Sequence, residues 1–252
     1  MSRHPRASAS GERTRGDCGA PPEHRTAHRT RARRTGRTGA REVSARYPLV
    51  AVYADESCLG NGKSGATPGG LGALVEFRKS DGTLTRFDLW ASEADTTNNR
   101  MALRSVIDTY RAMSRKGNRL SVQFTTDSRY IVDGMTSWVR GWMARGWRRK
   151  DGAVENVELW QEAVEAIALH ETQWLWVKGH AGHPQNEYAN HLATRAAAAQ
   201  DASNGLVPSQ FDTWMQEQPP KVRSQPLSGF PVAERFVPSP ALPASSRARL
   251  ES

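Results

Sequence analysis

Two aspartates sit where a carboxylate can do chemistry. Asp55 closes the strand-forming run LVAVYAD, and Asp127 closes LSVQFTTD. Carboxylates at the ends of adjacent strands can hold hard divalent ions such as magnesium. Two such ions, about 3.5 to 4 Å apart, clamp the attacking and leaving oxygens of a phosphodiester. Aspartates at strand ends also cap turns, so the pair alone does not assign catalysis. Between residues 140 and 150 stand Arg140, Arg145, Arg148, Arg149 and Lys150, with no acid among them and with Trp142 and Trp147 interleaved. Cations beside aromatics suit a nucleic-acid backbone. Tryptophans at helical spacing equally suit a core, and Trp138 reads that way.

The elements that must position these residues follow from periodicity. After LVAVYAD, the segments GGLGALVEFRK and TLTRFDLWAS alternate with period two around a DG turn, which predicts three antiparallel strands. Met101, Leu103, Val106, Ile107, Tyr110 and Met113 recur near helical spacing, and Thr97 or Asn98 can cap that helix. LSVQFTTD is a further strand, SRYIVDGM and SWVRGWMARGW are helical, NVELWQEAVEAIALH is an amphipathic helix, TQWLWVKGH a strand and NEYANHLATRAAAAQ a final helix.

Composition sets the frame. The chain has 252 residues and a net charge of +9, but residues 1 to 46 hold 12 arginines against four acids, so the basicity belongs to that segment. Residues 1–46 carry too little apolar bulk to order themselves and read as a disordered tail. Its three readings are a nucleic-acid-binding arm, a translated upstream stretch with a misassigned start, and a transit peptide. Residues 47–200 form the predicted domain. Residues 201–252 hold eight of the 14 prolines and read as a second, mostly disordered tail, from which Phe211 and Trp214 could dock a short segment onto the domain. No apolar run is long enough for a membrane span, and Cys18 and Cys58 do not make a disulfide framework or zinc site. These features predict a cytoplasmic monomer away from membranes.

The motifs AVYADESCLGN, TTNNRMALRS, TTDSRYIVDGMTSWVRGWMARGWRRK, ENVELWQ and WVKGHAGHPQNEYANHLA occur in this order over residues 51 to 193. In this the chain resembles bacterial type I ribonuclease H. The resemblance implies an α/β fold with a mixed five-stranded sheet flanked by helices. It also implies cleavage of the RNA strand of RNA/DNA hybrids by two magnesium or manganese ions held by four carboxylates, with a mobile histidine nearby. Asp55 and Asp127 match the first and third acids, and His180, in the loop GHAGHP, matches the histidine. The second acid position is Ala102, a lost carboxylate, and the fourth is Asn190, which keeps an oxygen but no charge. The implied metal set is therefore Asp55, Asp127 and Asn190, and binding weaker than in the family is expected. Two acids could substitute. Glu56 follows Asp55 directly, though strand alternation aims it at the opposite face unless the strand bulges. Glu187 lies one helical turn before Asn190.

The resemblance further implies minor-groove contacts from Cys58, Asn61, Asn98 and Asn99, and a DNA-phosphate pocket from Thr97 and Asn156. It implies a basic substrate-binding protrusion bearing Trp142, Arg145, Trp147, Arg148 and Arg149. Two functions fit: a metal-dependent endoribonuclease with an attenuated site, or a protein that binds hybrids without cutting them.

Overall fold

The computed structural model describes residues 44–60, 67–114, 117–179 and 181–243. Three long strands follow one another as β1 (Leu49–Cys58), β2 (Gly69–Arg78) and β3 (Leu84–Glu93), paired antiparallel in sequence order. Helix α1 (Asn98–Ser114) then returns the chain so that β4 (Ser121–Thr126) lies parallel to β1 on its other side. Beyond it, β7 (Glu171–Trp176) runs parallel to β4. Among the described residues the sheet has six strands, in the order β7-β4-β1-β2-β3-β8, β8 being Val207–Pro208. This sixth strand pairs two residues with β3 and was not among the five expected.

Between β4 and β7 the chain forms α2 (Arg129–Asp133), a wide helical turn at Gly134–Trp138, α3 (Val139–Ala144), and a hairpin of β5 (Arg148–Arg149) and β6 (Gly152–Ala153). Helix α4 (Val157–Ile167) then leads to β7. Gly134 is required inside the wide turn because a Cβ there would overlap the Trp160 ring. After β7 comes α5 (Pro184–Ala199).

Strand β1 is central and buried on both faces, and its side chains alternate between two cores. Val50, Val52 and Ala54 join the larger core with Met101, Leu103, Val106, Ile107 and Tyr110 of α1. Ala51 and Tyr53 join the second core with Tyr188 and Leu192 of α5. Helix α5 lies almost on the backbone of β2. A Cβ on Gly70 would overlap the Ala193 carbonyl oxygen, and one on Gly72 the Ala189 carbonyl oxygen. The alanine-rich face of α5 therefore serves close approach to the sheet.

Residues 201–243 correct the expectation of a mostly disordered second tail. Helix α6 (Phe211–Glu217) buries Phe211 against Tyr188 and Trp214 and accepts two sheet anchors. Asp88 accepts from the Gln210 N–H at 3.0 Å, and Arg86 bonds Asp212 at 2.8 Å. After α7 (Pro220–Arg223) the chain passes over the start of α5, and Phe236 is buried. The Ser239 N–H then reaches the Thr172 carbonyl of β7 at 2.8 Å, and Arg140 donates to the Ala241 carbonyl. One segment thus supplies one edge strand of the sheet, β8, and touches the other, β7. The prolines do not prevent this, because Pro208 sits in an edge strand and Pro220 in the first turn of a helix, where no N–H is needed. Composition alone hid the large apolar anchors spaced between them. The Arg-rich segment expected to be disordered lies outside the described residues up to residue 43. Among the described residues no helix is long and apolar enough to cross a membrane.

Candidate active site

The parallel pairing of β1 with β4 brings Ala54 opposite Thr126 and ends there, so the next residues, Asp55 and Asp127, stand side by side just beyond it. Strand β1 does not close at Asp55 as its sequence suggested but continues to Cys58 along β2. The alternation of β1 sends Asp55 toward α5 and Glu56 toward α1. Where β1 outruns β4, side chains from opposite faces of β1 can lean over the edge that β4 leaves open. Carboxylate oxygens of Asp55, Glu56 and Asp127 all lie within 4.8 Å of one another. The sequence reading placed Glu56 away from the site. The face it occupies is the one covered by α1, which carries Ala102, the position that the resemblance assigns to the second acid. Counting from the apolar residues of β1 toward α1 was the signal that could have found it.

The electrostatics are those of a site lacking its counter-charge. Asp55 is 6% exposed. Burial, and next the charge of Asp127, push its carboxyl up to about 8, while the Glu56 N–H pulls it down and Glu187 adds further repulsion. Glu56 is held well above the usual carboxylate range by burial first, then by Asp55 and Asp127. Its Oε2 is buried without a hydrogen-bond partner. A buried acceptor of that kind is costly unless something positive meets it. An all-oxygen donor set from three carboxylates fits a hard divalent cation.

Each oxygen of Asp55 is held. Oδ1 accepts from the Glu56 backbone N–H at 2.7 Å, and Oδ2 accepts from the Asn186 Nδ2 at 3.1 Å. Asn186 is buried in the first turn of α5, its own Oδ1 unpartnered. The side chain that α5 bonds to Asp55 is thus Asn186. Asn190 is half-buried one turn further along, and Ala102 is fully buried in the α1 core. Gly179 leaves room for Asp127, since a Cβ there would overlap the Asp127 carboxylate. His180 and Asn61 lie outside the described residues.

The RNase H family model matches residues 48–198, from the start of β1 to the end of α5. The chain belongs to the RNase H family. Ribonuclease H of Dinoroseobacter shibae is 43% identical over 152 residues, covering 60% of this chain and 92% of that protein. Ribonuclease H of Bradyrhizobium diazoefficiens is 42% identical over 147 residues, covering 58% and 88%. The crystal structure of LC9-RNase H1, a type 1 RNase H with the type 2 active-site motif, is 58% identical with a TM-score of 0.74, covering 79% of this chain and 96% of that one. The family is one of hydrolytic ribonucleases that cleave the RNA strand of hybrids and depend on divalent metal.

The residues that the RNase H resemblance assigned to substrate divide by exposure. Thr97 caps α1, its carbonyl accepting from Met101 and its Oγ1 from Arg100. Asn98 is exposed and Asn99 half-buried in the turn that follows. Cys58 is half-buried against the α1 core, and burial followed by the Glu56 charge raises its thiol. Asn156 takes a left-handed conformation (φ 53°) at the start of α4 and donates to the Tyr130 hydroxyl at 3.5 Å. Arg145, Arg148, Arg149 and Lys150 are all exposed around the β5–β6 hairpin. Trp147 is half-buried against the core at φ 63°.

Two tryptophan readings are corrected. Trp142, expected at the substrate, is 9% exposed and packs edge-on to Trp160 with centroids 5.5 Å apart. Trp138, expected in the core, is 37% exposed. Trp138 and Trp142 stand one turn apart with ring centroids 5.7 Å apart, so they share one face of the helix, Trp138 toward its rim and Trp142 deeper against Trp160.

Proposed function

We propose that this chain hydrolyses the RNA strand of RNA/DNA hybrids by the two-metal-ion reaction of its family, with Asp55, Glu56 and Asp127 holding magnesium or manganese. The observation that carries the reading is the group of three carboxylates gathered within 4.8 Å, one of them with a buried, unpartnered oxygen. Glu56 replaces from the strand the carboxylate that Ala102 no longer offers from the helix. The site is then short of one charge relative to four carboxylates, not two. Asn190, on the same face of α5 as Asn186, would offer a neutral oxygen. LC9-RNase H1, described as carrying a type 2 active-site motif on a type 1 fold, supports the idea that a type 1 chain can arrange its acids differently.

A bound divalent ion would neutralise phosphate charge and activate a water. The chain supplies the rest. Asp55 is fixed by the Glu56 N–H and by Asn186, so its carboxylate need not reorganise on binding. Thr97, Asn98, Asn99 and Asn156 stand at the starts of α1 and α4, where amide and hydroxyl groups can meet sugar hydroxyls and phosphate. Arg145, Arg148 and Arg149 would hold the backbone of the hybrid electrostatically. The partner is an RNA/DNA hybrid and the expected working form a monomer.

The test is cleavage of an RNA-labelled hybrid with magnesium and then manganese. Wild type should cut in either metal and not in chelator, and Asp55→Asn should not cut. A wild type that binds the hybrid without cutting it in either metal would establish the alternative, a hybrid-binding protein.

A further inference from the structure

Residues 224–230 cross the first turn of α5 and are joined to it by a set of hydrogen bonds that ends on the candidate active site. The Gln185 side chain exchanges two bonds with the Ser228 backbone: its Nε2 donates to the Ser228 carbonyl at 2.9 Å, and its Oε1 accepts the Ser228 N–H at 3.1 Å. Gln185 is 1% exposed, so both polar ends depend on this partner. The Ser228 Oγ lies 2.7 Å from His183 Nε2. His183 is the N-cap of α5, and its Nδ1 accepts the Asn186 N–H at 3.4 Å. A backbone amide can only donate, so Nδ1 is the bare nitrogen and the proton is on Nε2, donated to Ser228. The same Asn186 donates its Nδ2 to Asp55.

We propose that Ser228 is a positioning residue for the metal site: through His183 and Gln185 it fixes the first turn of α5, and so the orientation in which Asn186 presents the Asp55 carboxylate. The inference deepens the proposed function and rests on it. Ser228 touches neither the carboxylates nor a substrate group; it acts through the turn that carries Asn186. The family-model match ends at residue 198, before this segment begins. Besides the contacts of α6 with Tyr188, the segment is held away from α5 by the pairing of β8 with β3 and by the Ser239 N–H on Thr172 of β7, which gives it support outside the helix. Ligands acting at one remove from a metal commonly change its affinity by about 10- to 100-fold. Three links separate Ser228 from Asp55, so the low end applies.

The experiment compares wild type, Ser228→Ala, Ser228→Thr, Gln185→Ala and Asp55→Asn as full chains. Manganese affinity is measured by calorimetry, hybrid affinity without metal by fluorescence anisotropy, and folding by near-ultraviolet circular dichroism. Ser228→Ala removes one acceptor from a partly exposed pair, a change too small to unfold the domain. It should weaken manganese binding about 10-fold, leave hybrid affinity unchanged, and be rescued by Ser228→Thr, which keeps the hydroxyl. Gln185→Ala should weaken manganese binding in the same direction. Wild-type manganese affinity in folded Ser228→Ala, with binding lost in Asp55→Asn, would overturn the inference alone. Wild-type affinity in Asp55→Asn would instead overturn the proposed metal site. An equal loss of metal and hybrid binding in Ser228→Ala, unrescued by threonine, would assign Ser228 to general stability and also refute the positioning role.

Discussion

Removing the Asp55 charge should stabilise the metal-free protein, although it destroys the proposed site. Burial and the neighbouring Asp127 raise the Asp55 carboxyl from an ordinary 3.8 to about 8. The folded chain therefore holds a proton that the unfolded chain releases, and stability falls as pH rises from about 4 through 8. Each tenfold change in proton affinity is worth ~1.4 kcal/mol, which sets a ceiling of roughly 6 kcal/mol above pH 8. Water entry and sharing of the proton with Asp127 should leave about 2 to 3 kcal/mol. Asparagine cannot ionise and keeps an oxygen to accept from Asn186. Urea unfolding in chelator should thus give Asp55→Asn an advantage of about 2 to 3 kcal/mol at pH 8, shrinking toward zero near pH 4. Millimolar magnesium should narrow or reverse the gap, because metal bound only by the folded wild type adds stability by mass action. Equal or lower stability of the variant in chelator at every pH would refute the account of a strained, uncompensated carboxylate cluster.

Other consequences are equally concrete. Gly72→Ala forces a methyl into the Ala189 carbonyl of α5, so it should cost about 2 to 3 kcal/mol in urea unfolding and weaken manganese binding by calorimetry, since Asn186 rides on that helix. Gly134→Ala, pressing on the Trp160 ring, should cost a similar amount by the same assay while leaving manganese affinity intact. Replacing Arg145, Arg148 and Arg149 together with alanine should weaken hybrid binding in a mobility assay without metal and lower the slope of log affinity against log salt by about 2 to 3.

Much of the fold was legible because its signals are local. The period-two runs of β1 to β3, the helical spacing of Met101 to Met113 and the close of β4 before Asp127 each follow from a few residues, and pairing β1 with β4 brings Asp55 and Asp127 together although β1 continues to Cys58. What was not legible depended on packing between distant parts. Strand alternation does put Glu56 on the face opposite Asp55, but its carboxylate still comes within 4.8 Å of those of Asp55 and Asp127, which alternation alone does not foretell. Prolines concealed the docked segment, whose anchoring needs Asp88, Arg86 and Thr172 of the sheet. Trp138 and Trp142 share a helix face, and spacing does not say which of the two lies deeper against Trp160. Asn186 carried no signal of its own, since its importance comes from the bond to Asp55, 131 residues earlier.

The central claim is that Glu56 does from β1 what a glutamate at position 102 would do from α1. The most direct measurement is the magnesium-dependent cleavage rate of an RNA/DNA hybrid by Glu56→Ala and by the double variant Glu56→Ala, Ala102→Glu. The account predicts a loss on the order of 100-fold or more in the first and substantial recovery in the second, since both restore or remove the same oxygen ligands at one edge of the sheet. Cleavage by Glu56→Ala at the wild-type rate would contradict it.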